Sequence, residues 1–164
     1  MTHLDALRRA DREFSSRLTL VSDSQWDDRS ACDDWSVGDL VDHVIGGNLF
    51  TIAILGEAAA EAAVEAAIQG ATMGATRRHD AYEESAGVML QRFAVDDALG
   101  QSYDHVAGTL SGFEVAALRA EDIALHAWDL ANSIGVGEQL DPALVEFVWD
   151  RMSPRSHELA ASGR

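Results

Sequence analysis

The sequence predicts an all-α helical bundle, a single domain over residues 1–164, and three observations carry that reading. Proline occurs only at Pro142 and Pro154, so everything before them is free to form long helices. Apolar residues recur at three- and four-residue spacing behind residues suited to cap a helix. No segment keeps up the alternation of a half-buried strand. The length is that of one domain with a real core.

Taken in order, Thr2 with Asp5 reads as an N-cap with an acidic first turn. Leu4, Leu7, Ala10, Phe14 and Leu18, with Val21 nearby, predict a first helix to about residue 20. Residues 22–34 are polar and turn-rich. Ser36 with Asp39 repeats the capping pattern, and Val37, Leu40, Val41, Val44, Ile45, Leu49 and Ile52 follow as a stripe, so a second helix runs from Ser36 to at least Leu55. The segment GEAAAEAAVEAAIQG extends it or forms a short helix of its own, and Gly70 to Arg78 reads as a loop. Asp80 to Ala94 is a further helix with Tyr82, Val88, Met89 and Phe93 as its core residues. The irregular glycines of DDALGQSYDHVAGTLSG predict a long crossing connection with at most a short extended piece. Ser111 with Glu114 caps the next helix, through Val115, Leu118, Asp122, Leu125, Ala127 and Leu130, and Gly135 ends it. Asp141-Pro142 opens the last, with Leu144, Val145, Phe147, Val148 and Trp149, until Pro154 interferes.

Charge narrows the partners. Twenty-eight acidic against twelve basic residues give a net charge of −16, which argues against nucleic acid or an anionic membrane surface as partner. Cys32 is the only cysteine, which excludes an intrachain disulfide and a cysteine-based zinc site and fits a reducing cytoplasm. The opening MTHLDALRRADREF lacks a signal-peptide core, and no stretch approaches the roughly 20 apolar residues that cross a bilayer. The expected location is cytoplasmic.

His3, His79, His105 and His157 stand in polar or terminal surroundings and read as solvated. His43 and His126 lie inside apolar helices. A lone histidine there is more often a hydrogen-bonded core residue than a ligand, but three features shift the balance. Asp122 and His126 are four residues apart and share one helix face, and Asp129 lies a turn further on the same side. Gly46 and Gly47 follow His43, at a cost of about 1 kcal/mol each relative to alanine, which implies a need for space for close packing or for a ligand. A carboxylate buried beside histidines is unfavourable unless a cation or a hydrogen-bond network compensates. His43, Asp122 and His126 together form a set suited to divalent zinc, iron, manganese or nickel, with coordination positions left open. Asp129, Asn48, Trp35 and Arg119 are the residues expected around them, supporting the ligands or touching substrate.

At these residues a pattern appears. The segment CDDWSVGDLVDHVIGGN resembles the C-x-x-W-[ST]-x-x-D-L-x-x-H signature of the DinB-like superfamily, and more narrowly the N-terminal metal-binding domain of mycothiol-dependent maleylpyruvate isomerase. The segment DIALHAWDLANSIG resembles that family's E-x-x-x-H-x-W-D-L-A motif. The resemblance implies a four-helix bundle with a long crossover connection, to which the last helix is an addition. It implies a metal, most often zinc, held by His43, Asp122 and His126, and chemistry on a low-molecular-weight thiol such as mycothiol as cosubstrate. Trp35 then anchors the start of the second helix against the core, and Asp129 supports a ligand or caps a helix. Two departures are visible. Asp122 stands where the family usually has glutamate and is one methylene shorter, so weaker or water-mediated coordination is expected. The isomerase carries a C-terminal domain for which this sequence has no counterpart, which puts maleylpyruvate isomerisation itself in doubt.

The expected function is thus a metal-dependent thiol transferase or isomerase, the metal activating thiol or water as a Lewis acid. The competing reading is a non-catalytic bundle that binds metal or ligand in a stress-linked or interaction role. A pocket open to solvent above the ligands favours the first; a sealed metal favours the second. Cys32 is not expected to act as nucleophile, since Asp33 and Asp34 disfavour its thiolate. Arg77, Arg78 and Arg119 suit a substrate carboxylate but read more readily as solvated. The alanine-rich face from Ala58 to Ala67 suits packing inside the bundle or between protomers, which leaves a homodimer open.

Overall fold

The computed structural model describes residues 1–56, 58–74 and 77–155. Among these described residues six α-helices and one β-hairpin follow in the order α1 (His3–Leu18), α2 (Val37–Leu55), α3 (Ala60–Gly74), α4 (Arg78–Phe93), β1 (Ser102–His105), β2 (Gly108–Ser111), α5 (Gly112–Ile134) and α6 (Pro142–Met152), with a 3₁₀ turn at Ser153–Arg155 after α6.

The expected caps set the helix starts. Thr2 Oγ1 accepts the Asp5 N–H to begin α1. Ser36 and Ser111 each form a reciprocal box, with Asp39 and Glu114 respectively, at the starts of α2 and α5. Asp141 caps α6 with Pro142 at its first turn. Gly135, in the left-handed conformation at φ 72°, ends α5.

Helices α1, α2, α4 and α5 form the four-helix bundle, with α1 against α5 as its most extensive pairing and α2 joined to α4 and α5. Leu7, Ala10, Phe14 and Leu18 of α1, Val41, Val44 and Ile45 of α2, Tyr82, Met89 and Phe93 of α4 and Ala116, Ala120, Ile123 and Leu130 of α5 share one core. Several stripe residues lie outside it. Val88, Leu125, Val145 and Trp149 are exposed, because a 3.6-residue period carries the margins of a broad stripe round to solvent.

Three further expectations are corrected. The alanine-rich segment takes the second of its two expected forms, a helix of its own, α3, but that helix continues through Gly70 to Gly74, into the expected loop. Gly70 lies so close to Leu49 that a side chain there would collide, which makes it a packing residue. Ala60, Ala63, Ala67 and Ala71 form the buried face of α3, which packs on α2, so the small-residue stripe is used within the chain. The connection from α4 to α5 holds the antiparallel hairpin β1–β2, in register from Ser102 opposite Ser111 to His105 opposite Gly108. Finally, α2 is long and apolar enough to cross a membrane, contrary to the reading of the sequence. Half of that window is buried in the bundle, which accounts for its apolar character.

Candidate metal centre

Helices α2 and α5 cross where their polar residues meet. His43 Nε2 and His126 Nε2 each lie 3.6 Å from Asp122 Oδ1, and the two imidazole rings are 4.9 Å apart and nearly perpendicular. One ligand atom from each of His43, Asp122 and His126 falls within 4.8 Å of the others. Metal–ligand bonds of about 2.0–2.1 Å put neighbouring ligands about 3.3 Å apart around a tetrahedral zinc ion. The donor set therefore fits a divalent cation after small adjustments, with Asp122 Oδ1 within 3.6 Å of both imidazoles. The side chains of His43 and Asp122 are 41% and 37% exposed, so the cluster is open on one side.

Each member is held from behind. Asp129 Oδ2 lies 3.0 Å from His126 Nδ1, and since a carboxylate accepts, that nitrogen donates, which leaves the Nε2 lone pair facing the cluster. The His43 ring lies against Trp35 with centroids 4.8 Å apart and the planes tilted by 41°, and Trp35 also lies 6.1 Å from the His126 ring. Trp35 itself is partly buried at the edge of the core, so its indole packs between the core and the two imidazoles.

Asp122 rests on a buried arginine. Arg119, read from the sequence as more readily solvated, is only 6% exposed. Its Nη1 donates to Asp122 Oδ2, its Nη2 to the Val44 carbonyl, and its Nε and Nη2 to Asn48 Oδ1 at 3.1 and 2.9 Å. Asn48 Nδ2 passes the chain on to Ser85 Oγ at 3.1 Å, which donates to the Tyr82 carbonyl. A buried guanidinium is tolerated only with its donors satisfied, and this network satisfies them. It also explains the glycine pair. A side chain at Gly47 would collide with the Arg119 guanidinium, whereas at Gly46 it would meet Ala71 of α3 at an ordinary 3.7 Å. Burial alone would push the Asp122 carboxyl up, but Arg119, a hydrogen bond from His43 and the nearby His126 together hold it well below the usual carboxylate range.

Other expectations change. Arg78 is half-buried and makes two 2.9 Å hydrogen bonds to Asp42, while Arg77 is exposed as read. His79 is exposed, but His3 packs against Phe113 and Phe147, and His105 is partly buried with its ring edge-on to Phe50. His157 lies outside the described residues.

Cys32 sits on the far side of His126, with Sγ 3.4 Å from Asp129 Oδ2 and 3.9 Å from His126 Nδ1. A lone cysteine can thus join a mixed Cys–His–Asp group, which the cysteine count had set aside. Nothing local announces this, since 94 positions separate the two residues. Its thiol is pushed up to about 11 by burial first and by Asp129 second, so the expected inertness holds for another reason than neighbouring Asp33 and Asp34 alone.

A groove of about 1150 Å³ opens over the cluster between α2, α3, α5 and the hairpin. His43, Asp122 and Arg119 lie at one side, Phe50, Val64 and Ile68 along the wall, and His105, Val106 and Ala107 at the hairpin tip.

Comparison with known proteins identifies the family and the fold. The family described as the mycothiol maleylpyruvate isomerase N-terminal domain matches residues 7–131, a span that holds His43, Asp122, His126 and the groove. Uncharacterised proteins from two strains of Mycobacterium tuberculosis are each 30% identical over 144 residues, covering 88% of this chain and 74% of theirs. Crystal structures of the mycothiol-dependent maleylpyruvate isomerase and of a histidine-to-alanine mutant of it share the fold, with TM-scores of 0.66 and 0.67 at 21% and 20% identity. They cover 78% of this chain, which spans 59% of theirs. The chain belongs to the mycothiol maleylpyruvate isomerase N-terminal domain family.

Proposed function

We propose that this protein is a metal-dependent enzyme that uses a low-molecular-weight thiol of the mycothiol type to transfer that thiol to, or isomerise, a small molecule in the groove. The observation that carries this reading is the convergence of His43 Nε2, His126 Nε2 and Asp122 Oδ1 on one point at the open edge of a groove. Those three residues would hold a divalent cation, zinc being the first choice for two imidazoles and a carboxylate. When bound, such an ion supplies Lewis acidity toward a thiol or water.

The chain's own residues do the rest. Asp129 keeps the proton of His126 on Nδ1, Trp35 fixes the plane of His43, and Arg119 turns one oxygen of Asp122 away so that the other faces the histidines. Cys32, its thiol raised and hydrogen-bonded to Asp129, takes no part as nucleophile. The openness of the cluster favours catalysis over the competing binding-bundle reading, because a storage or structural site has no need of a solvent-facing edge beside a large groove. A cytoplasmic setting, where such thiols are kept reduced, suits this chemistry.

The test is elemental analysis of protein purified without chelators beside His43→Ala, followed by a thiol-transfer assay with mycothiol and an electrophilic acceptor. One equivalent of metal that falls at least tenfold in the variant, with turnover in the metal-loaded protein, is the expected result. Equal metal content in both proteins overturns the site. Metal without turnover transfers the protein to the binding-bundle reading.

A further inference from the structure

The hairpin adds His105 to the residues lining the groove, and neither the cation ligands nor the residues that hold them in place involve it. His105 sits at the end of β1, and its ring meets Phe50 of α2 edge-on, with centroids 5.1 Å apart. Its Nδ1 accepts the Ala107 N–H at 3.0 Å across the hairpin turn. A neutral imidazole has one donor and one acceptor nitrogen, so this bond assigns the proton to Nε2. Partial burial lowers the His105 pKa, which keeps the ring in that neutral form. The hairpin thus gives a groove-lining histidine an Nε2–H donor, with its tautomer set by the backbone.

The charges around it limit what that donor can serve. Along the groove, Phe50, Val64, Ile68, Val106, Val115 and Leu118 supply apolar wall. Asp34, Asp39 and Asp42 also line it, and Asp42 is paired with Arg78. Among the described lining residues the one cationic side chain is Arg119, and its donors are engaged by Asp122, Asn48 and the Val44 carbonyl. A free carboxylate on the ligand would meet no unengaged guanidinium or ammonium among these described lining residues and would face four aspartates, Asp122 included, in a chain of net charge −16, so any pull on it would have to come from a cation held by His43, Asp122 and His126.

We infer that the second substrate is an uncharged, largely apolar molecule carrying a hydrogen-bond acceptor such as a carbonyl, which His105 Nε2–H receives while Phe50, Val64 and Ile68 enclose the apolar part. This deepens the reading above and rests on it for the role of the ligand, but the binding preference is a property of the groove wall and is measurable without metal or thiol. His105 is then a specificity residue, delivered by the hairpin and separate from the residues that hold the cation.

One probe in three forms tests this by equilibrium dialysis on the full chain, both chelator-treated and zinc-loaded: methyl 2-naphthoate (neutral, with a carbonyl), 2-naphthoate (anionic) and 2-ethylnaphthalene (no acceptor). In chelator-treated protein the ester is expected to bind at least tenfold more tightly than the anion. His105→Phe, which keeps an aromatic ring against Phe50, is expected to weaken the ester about fivefold and leave 2-ethylnaphthalene unchanged, and His105→Gln to restore part of the loss. Unchanged 2-ethylnaphthalene binding also shows that the variant is folded. The inference is overturned if the anion binds as tightly as the ester without metal, if His105→Phe weakens ester and hydrocarbon equally or neither, or if none of the probes binds. On adding zinc, loss of the tight ester binding, or tighter binding of the anion than of the ester, overturns it too. A failed metal analysis of the wild-type protein removes the catalytic reading and leaves these binding results standing.

Discussion

Helix α5 presents two unlike faces to its neighbours. Toward α1 it offers Ala116, Ala120, Ile123 and Ala127, fully buried opposite a helix that contributes Leu7, Ala10 and Phe14, and this interface is dry. Toward α2 it offers Arg119, Asp122 and His126, and there the contact is made by hydrogen bonds and ion pairs. Both faces bury surface, but they hold together differently. The dry face is stabilised by area and close packing, roughly 25 cal/mol per Å² of apolar surface removed from water. The polar face is close to neutral for folding while complete and costly once any member is missing, because each buried charge depends on the others. A bundle that needed only stability would have apolar side chains on both faces, and the polar face is the one that carries the proposed site.

The sharpest way to break the comparison is a pair of truncations. Asp122→Ala leaves the Arg119 guanidinium buried without its carboxylate, and a loss of about 3–5 kcal/mol is expected, together with loss of bound metal. Phe14→Ala on the dry side is expected to cost a similar 3–5 kcal/mol through the cavity it leaves, with metal content per folded molecule unchanged. Urea unfolding with parallel metal analysis reads both; metal lost in both variants, or in neither, would erase the distinction between the faces.

A smaller effect sharpens it. Asp129→Asn keeps the size of the group while weakening its hold on the His126 Nδ1 proton, so metal affinity is expected to fall about 10- to 100-fold with little change in the unfolding midpoint. Competition with a calibrated chelator measures the affinity, and an unchanged constant would show that Asp129 does not set the tautomer.

The smallest effect lies at the mouth of the groove, where the Ser36–Asp39 box starts α2. Ser36→Ala is expected to cost about 1 kcal/mol. Ser36 hydrogen bonds hold the Asp39 carboxyl below its usual value of 3.8. A depressed folded-state pKa contributes stability that is complete above the unfolded value and is lost as pH falls through the folded one. The difference between wild type and variant is therefore expected to be constant near neutrality and to shrink below about pH 4 as Asp39 protonates. Thermal unfolding across that range checks it; a difference that widens on acidification would contradict the assignment.

Much of this architecture was legible in the sequence because its causes are local. The Thr2, Ser36, Ser111 and Asp141 caps, the left-handed Gly135 and the stripes of α1 and α2 all act within a few residues of themselves. The pairing of Asp122 with His126 belongs to the same class, since a four-residue step places two side chains together on any helix. The Gly46–Gly47 pair was readable as a demand for space but not for whose space it was.

What the tertiary structure alone decided were the contacts between residues distant in the chain. The sequence determined that this protein would be a capped helical bundle with two histidines and an aspartate in apolar surroundings. That His43 reaches across to Asp122, that Arg119 turns inward to Asn48, that Cys32 lies behind His126 and that the hairpin carries His105 over Phe50 all depend on how the helices cross. The physical reason is range. Caps and helical periodicity are settled over a few ångströms of neighbouring chain, whereas the direction of a buried polar side chain is settled by which partner the packed core leaves within hydrogen-bond reach.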